Sequence, residues 1–251
     1  MEQVARWKWH VRGSWNPRED RVPSAVWLGV LWIGMLLGFG FDATHFLGLH
    51  PPLILHLHAT VFTIWMLLLT AQVLLVLRNR VDLHRKLGWF LVAWACLMGV
   101  MGPVAVYTAV RMLVKSHGPF PYPFIAVHVV DIGGFLVLLA IGIALRSNSA
   151  AHKRMIILST AALADPGFNR FIGHMYPAHP PTPLLTFLYI FYGNILIVAL
   201  MLGWDFYRGR LIRSHVIASI SLLTCMYIAS VMMCWQSWQR LTLQWVTAWV
   251  K

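Results

Sequence analysis

The sequence predicts an all-α integral membrane bundle of seven transmembrane helices, with the N-terminus cytoplasmic and the C-terminus outside. Three observations carry this. Hydrophobic residues make up 59% of the 251-residue chain and charged residues only 11%, whereas a soluble domain carries about 25% charged residues. The apolar residues gather into stretches of roughly 20, the length that crosses a hydrocarbon core of about 30 Å. Lys and Arg fall between those stretches, on alternate sides.

The elements follow in order. A basic arm, residues 1–24, contains Arg6-Trp7-Lys8-Trp9, a pattern suited to an interfacial anchor with rings at headgroup level. No short apolar core with a small-residue cleavage site precedes the first span, so the arm is not expected to be a cleaved signal. The spans are expected from Ala25 to Leu47, Leu53 to Leu77, Leu87 to Val110, Phe124 to Leu145, Met155 to Ile172, Leu184 to Phe206 and Val216 to Trp235. Asp165, Pro166, Gly167, Asn169 and Arg170 interrupt the fifth, and a broken span is tolerated where protein or water satisfies the freed backbone groups. Residues 25–235 are thus one transmembrane domain, without internal repeats or a separate soluble domain, and residues 236–251 form a short tail.

Orientation rests on charge. Fifteen Lys and Arg lie in the N-terminal arm and after the second, fourth and sixth spans, against five on the other side. The positive-inside rule therefore sets the N-terminus in the cytoplasm. The expected location is the inner (cytoplasmic) membrane, multi-pass, with the lipid bilayer as partner.

The net charge of +12 is placed as an orientation signal, and nucleic acid is not an expected partner. Cys96, Cys225 and Cys234 form no C-x-x-C pair and read as buried thiols. A retinal protein needs a lysine in the middle of the seventh span, and none is there. No phosphate loop or nucleophile elbow appears. A carrier shows paired halves with helices broken at matching positions, and only the fifth span is interrupted. The 13 Trp read as interfacial belts and helix packing.

The twelve histidines are the informative residues, because ionisable groups inside a span are costly and mark function by default. His10, His50, His117, His179 and His215 read as groups meeting water or headgroups. His58 and His128 lie roughly 6 to 9 Å into the second and fourth spans, which both start outside. His84 and His152 open the third and fifth spans, which both start inside. This gives an outer pair and an inner pair, and two imidazoles facing each other between helices suit a six-coordinate haem iron. Arg85, Lys86, Lys153 and Arg154 stand beside the inner pair and would neutralise haem propionates.

From Leu53 to Ile172 this layout resembles the two-haem transmembrane cytochromes b that pass electrons from cytosolic ascorbate. The resemblance implies haem b, with His58 and His128 as ligands of one centre and His84 and His152 of the other. Nearly the whole chain also resembles an uncharacterised bacterial family of multi-span membrane proteins. The matching positions are His56, His58, Trp65, Gln72, His84, Arg85, His152, Lys153 and Arg154; no activity follows from that likeness.

A different chemistry competes for the outer half. Asp42 and His45 are three residues apart, as are His128 and Asp131, so each pair shares a helical face. With His56, His58 and Asp165 they could form a carboxylate and imidazole cluster for non-haem iron, copper, zinc or manganese, as in a membrane hydroxylase or in metal handling. The histidine boxes of such enzymes normally include adjacent histidines, which this chain lacks. Asp131 could instead orient a liganding imidazole, and Asp165 could pair with Arg170 as a clamp. The expected function is a membrane oxidoreductase or electron carrier with a redox partner or membrane complex. The alternatives are a non-haem metal site and a non-catalytic membrane subunit. Whether His56 or His58 faces the bundle is open, since residues two apart point about 200° apart on a helix.

Overall fold

The computed structural model describes residues 17–46, 51–173 and 182–249, and among these the secondary structure is helical without strands. A 3-10 turn, Pro17–Asp20, leads into α1 (Arg21–Phe46), followed by α2 (Leu53–Leu77), α3 (Val81–His117), α4 (Ile125–Ala144), α5 (Ser149–Ala161), α6 (Asp165–Gly173), α7 (Pro183–Tyr207), α8 (Arg213–Cys234) and α9 (Gln236–Ala248). The interfacial anchor expected at Arg6 to Trp9 lies outside the described residues.

Six helices (α1, α2, α3, α4, α7 and α8) are long and apolar enough to cross a membrane. The stretch expected as the fifth span is instead two short helices, α5 of 13 residues and α6 of 9. α3 continues seven residues past the expected Val110 to His117. At 1.5 Å per residue its 37 residues reach about 55 Å, far beyond a 30 Å core. The expected tail is the amphipathic helix α9, whose Val246 packs with Val110 and Val114 of that extension in a small separate core.

Seven helix ends meet at one end of the bundle, here called the basic end. Arg21 on α1 donates to Asn79 after α2 (2.8 Å), and the first turns of α3 and α5 meet there. The C-terminal ends of α4 and α7 and the start of α8 are bonded to the same region. α5 lies beside this end of α1, whereas α6 lies beside the other end. A Cβ on Gly38 of α1 would stand 1.7 Å from the backbone oxygen of Gly167 on α6, so only glycine permits that approach. The Phe168 ring fills a slot between Gly34 and Gly193, where added Cβ atoms would come within 2.3 and 2.2 Å of it.

Side chains of α7 satisfy the break between α5 and α6. Asn194 donates to the Ala161 carbonyl (2.7 Å) and Tyr192 to the Phe168 carbonyl (2.6 Å). Backbone groups at and beyond the α5–α6 break are thus met by protein side chains. The tryptophans do more than line interfaces. Indole N–H groups bolt helices together: Trp32 to Thr70 (2.9 Å), Trp94 to the Val61 carbonyl (3.0 Å), Trp65 to Thr160 (3.2 Å) and Trp238 to the Pro123 carbonyl (3.0 Å).

Candidate functional site

His84 sits in the first turn of α3 and His152 in the first turn of α5, whose start is capped by Asn148 accepting from the Ala151 amide (3.2 Å). The imidazole centroids are 6.2 Å apart and the ring planes nearly perpendicular, at 87°. His152 Nδ1 lies 2.8 Å from the Gly142 carbonyl on α4. That carbonyl only accepts, so the proton is on Nδ1 and the Nε2 lone pair is free. Gly142 makes this reach feasible, because a Cβ there would meet Ile156 at 2.9 Å and Met155 at 3.0 Å.

Opposite, the His84 ring lies beside the Gln72 backbone carbonyl, while its Nδ1 has no hydrogen-bond partner. Metal–imidazole bonds of about 2.0 Å on both sides place two ring centroids about 6 Å apart. The inner pair stands at that separation. The unpartnered Nδ1 of His84 and the Nε2 of His152 are the nitrogens that would hold a metal or a haem iron at this level.

Toward the far end, α2 turns His58, Trp65 and Gln72 to one face, seven residues apart. Trp65 and Gln72 are buried and His58 half-buried, whereas His56 is exposed. The question left open by the sequence is answered: His58 faces the bundle. Its ring packs on Phe62 at 4.3 Å, and its Nδ1 is without a hydrogen bond. His128 on α4 is within electrostatic reach of His58. Its Nε2 is already held by the Tyr122 hydroxyl at 3.1 Å. Burial raises the Tyr122 phenol above its ordinary range, which keeps it protonated and able to donate. The outer pair is therefore less open to a ligand than the inner pair.

Asp131, one turn beyond His128, faces the carboxyl of Asp165 at the start of α6, but neither oxygen of Asp165 nor Oδ1 of Asp131 has a hydrogen-bond partner. Arg170, expected to clamp Asp165, donates to the Pro166 carbonyl (2.9 Å) and lies over the Phe39 ring at 4.6 Å. The side chains of Asp42 and His45 lie outside the described residues. Among the described residues no group of three or more His, Cys, Asp or Glu is placed to hold a metal ion.

Between the two histidine levels, Trp65 meets Phe135 edge-on at 5.0 Å. A cavity of about 20 Å³, lined by Phe62, Trp65, Met98 and Thr160 among others, has room for about one water.

At the basic end sequence reasoning missed a buried ion network. Arg154, fully buried, donates through Nε to both oxygens of Asp205 (3.0 and 2.8 Å), again to Asp205 through one terminal nitrogen, and through the other to Asp20 (3.0 Å) and the Ala150 carbonyl (3.0 Å). Asp205 also takes His215 Nδ1 at 2.7 Å. Asp20 takes Arg210 at 2.9 Å and the Trp204 indole at 3.1 Å, with Lys153 at 3.8 Å.

This corrects two expectations. Arg154 is committed to two carboxylates and Lys153 lies by Asp20, so Arg85 and Lys86, both exposed, are the cations left beside the inner pair. His215 is a buried partner of Asp205 rather than a group meeting water. The signal was present in the sequence as Asp20 and Asp205, two acids set at span ends that are otherwise basic.

Neither a protein-family model, nor a curated protein, nor a solved structure matches the chain.

Proposed function

We propose that this chain is a redox protein of the cytoplasmic membrane that holds b-type haem between its helices and passes electrons across the bilayer. In this reading α5 and α6 together make a fifth, broken crossing, giving seven in all. The basic end is cytoplasmic, and the C-terminal helix lies outside. The single observation that carries the reading is the convergence of His84 and His152 at 6.2 Å, with the Nε2 of His152 freed by its Nδ1 bond to Gly142.

Haem bound there would supply a one-electron couple. The chain's own residues do the rest. His84 and His152 would hold the iron, and the Gly142 carbonyl orients the His152 ring. Arg85 and Lys86, both exposed, would neutralise the propionates. His58 and His128 form the second centre once Tyr122 releases Nε2, about 21 Å along α2 from the level of Gln72. Trp65, Phe62 and Phe135 fill the space between the two levels.

The test is a reduced-minus-oxidised spectrum of protein purified from haem-replete cells. A sharp b-type band is expected in the wild type and in His56→Ala, with loss of the inner contribution in His84→Ala and His152→Ala. A wild type without the band, or His84→Ala and His152→Ala variants with the full band, would refute the reading.

A further inference from the structure

Asp131 and Asp165 are buried acids that the haem reading does not use. Asp131, on α4, is 5% exposed, and Asp165, at the start of α6, is 1% exposed. Their carboxyls face each other, and no group donates a hydrogen bond to either oxygen of Asp165 or to Oδ1 of Asp131. Among the described residues the other buried acids, Asp20 and Asp205, share the Arg154 guanidinium instead.

The ionisable groups around the pair are engaged elsewhere. Arg170 of α6 donates to the Pro166 carbonyl and lies over Phe39. His128, one turn away on α4, meets the Tyr122 hydroxyl, and His58 of α2 packs on Phe62. Tyr192 of α7 donates to the Phe168 carbonyl. His152 and Arg154 of α5, with His215 of α8, lie at the basic end.

Two carboxyls side by side in an apolar interior cannot both be ionised, since each charge opposes the other and no water offsets the desolvation. A proton on one removes that conflict and supplies an O–H donor for which the other is the acceptor. A proton is also a ligand that needs no cavity of its own. The position suits exchange with water. Asp165 directly follows the break between α5 and α6, and Ala164, the residue before it, lines the cavity of about 20 Å³, room for about one water. Ionisable groups buried within a membrane bundle are where proton relays are built.

We propose that Asp131 and Asp165 form a proton-binding site at the α5–α6 break, which takes a proton from water, holds it as a carboxylic acid inside the bundle and returns it while the chain stays folded. The step is acid–base alone: one O–H bond forms on a carboxylate oxygen at uptake and breaks at release. It stands whether or not the bundle binds haem.

Infrared spectra of the full chain in phospholipid vesicles at neutral pH test it, through the C=O stretch of a protonated carboxylic acid, which a carboxylate lacks. The wild type is expected to show this band and to shift it on transfer to heavy water, with circular dichroism unchanged. Asp131→Asn/Asp165→Asn is expected to lose it. A wild type without the band overturns the proposal, even if the double variant fails to fold. A band retained in the double variant puts the proton on another acid and overturns it too. A band that shifts only on unfolding marks a sealed structural proton, and exchange with water is then refuted.

Discussion

Removing Arg154 should separate the two carboxylates that it joins, and the geometry says which one suffers. Without the guanidinium, Asp20 keeps Arg210 at 2.9 Å, the Trp204 indole at 3.1 Å and Lys153 at 3.8 Å. Among the described residues, Asp205 keeps only His215, at 2.7 Å, after losing three donor contacts from Arg154. Breaking a buried pair from one side costs about 3–5 kcal/mol, because a charge is left uncompensated. Arg154→Met is therefore expected to destabilise the bundle by that amount, with most of the cost at Asp205. Adding Asp205→Asn should recover the larger share of the loss, and adding Asp20→Asn little. Reversible unfolding in mixed micelles, with Arg154→Met and the two double variants side by side, measures this. A loss below about 1 kcal/mol, the range of an exposed ion pair, would refute the assignment of a closed buried network. Equal rescue by Asp20→Asn would refute the asymmetry derived from the contacts.

Two further outcomes follow from the packing and the charge pattern. Gly38→Ala should push α1 and α6 apart, because the new Cβ would strike the Gly167 backbone rather than a side chain that can turn away. The expected loss is about 1–3 kcal/mol or more, while Gly29→Ala, with nothing within 4 Å, should be neutral or stabilising by up to ~1 kcal/mol; the two thermal midpoints check this. Orientation is tested with single cysteines in a chain whose native cysteines are replaced by serine. A membrane-impermeant maleimide added to intact cells should label Lys115→Cys and spare Arg80→Cys, and the reverse pattern would invert the proposed topology.

Much of the architecture was legible because it follows from solvent. A long apolar run in lipid must form a helix, since every backbone amide has to be satisfied within the segment, and six runs did so. The fifth stretch was legible as a weak point: Asp165, Pro166 and Gly167 announced the break. Its repair was not, because Asn194 and Tyr192 come from a helix distant in sequence. The α3 extension was missed because Arg111 and Lys115 suggested an exit from the bilayer, and a helix can continue through water once Val110 and Val114 have Val246 to pack on. At the site, spacing paired His84 with His152, and the rings do meet. Spacing could not show that Tyr122 would occupy His128, nor that Arg154 would turn away from the histidines. Both depend on partners brought in by tertiary packing.

What remains is the question of why this bundle keeps polar atoms where lipid-like packing would serve. α2 packs chiefly on α3, and α4 chiefly on α5; between these two pairs lie Trp65 against Phe135 and His84 against His152. Five of the eleven unpartnered buried atoms among the described residues lie on α2, α3 and α4 (Nδ1 of His58, both amide atoms of Gln72, Nδ1 of His84 and Oδ1 of Asp131), and the other six belong to Asp165, Asn194, Arg210, His215 and Ser219. Each buried orphan costs about 1–3 kcal/mol, so together they rival the net stability of a whole domain, about 5–15 kcal/mol. A group that enters between the two helix pairs and takes imidazole nitrogens as ligands converts those nitrogens from a cost into binding energy. Substituting His58, Gln72 and His84 together by Leu, Met and Leu discriminates the two cases: the haem-free chain should become more stable, and the b-type band should disappear. A less stable haem-free chain would mean that these atoms are satisfied within the fold, and the physical case for a bound group would be lost.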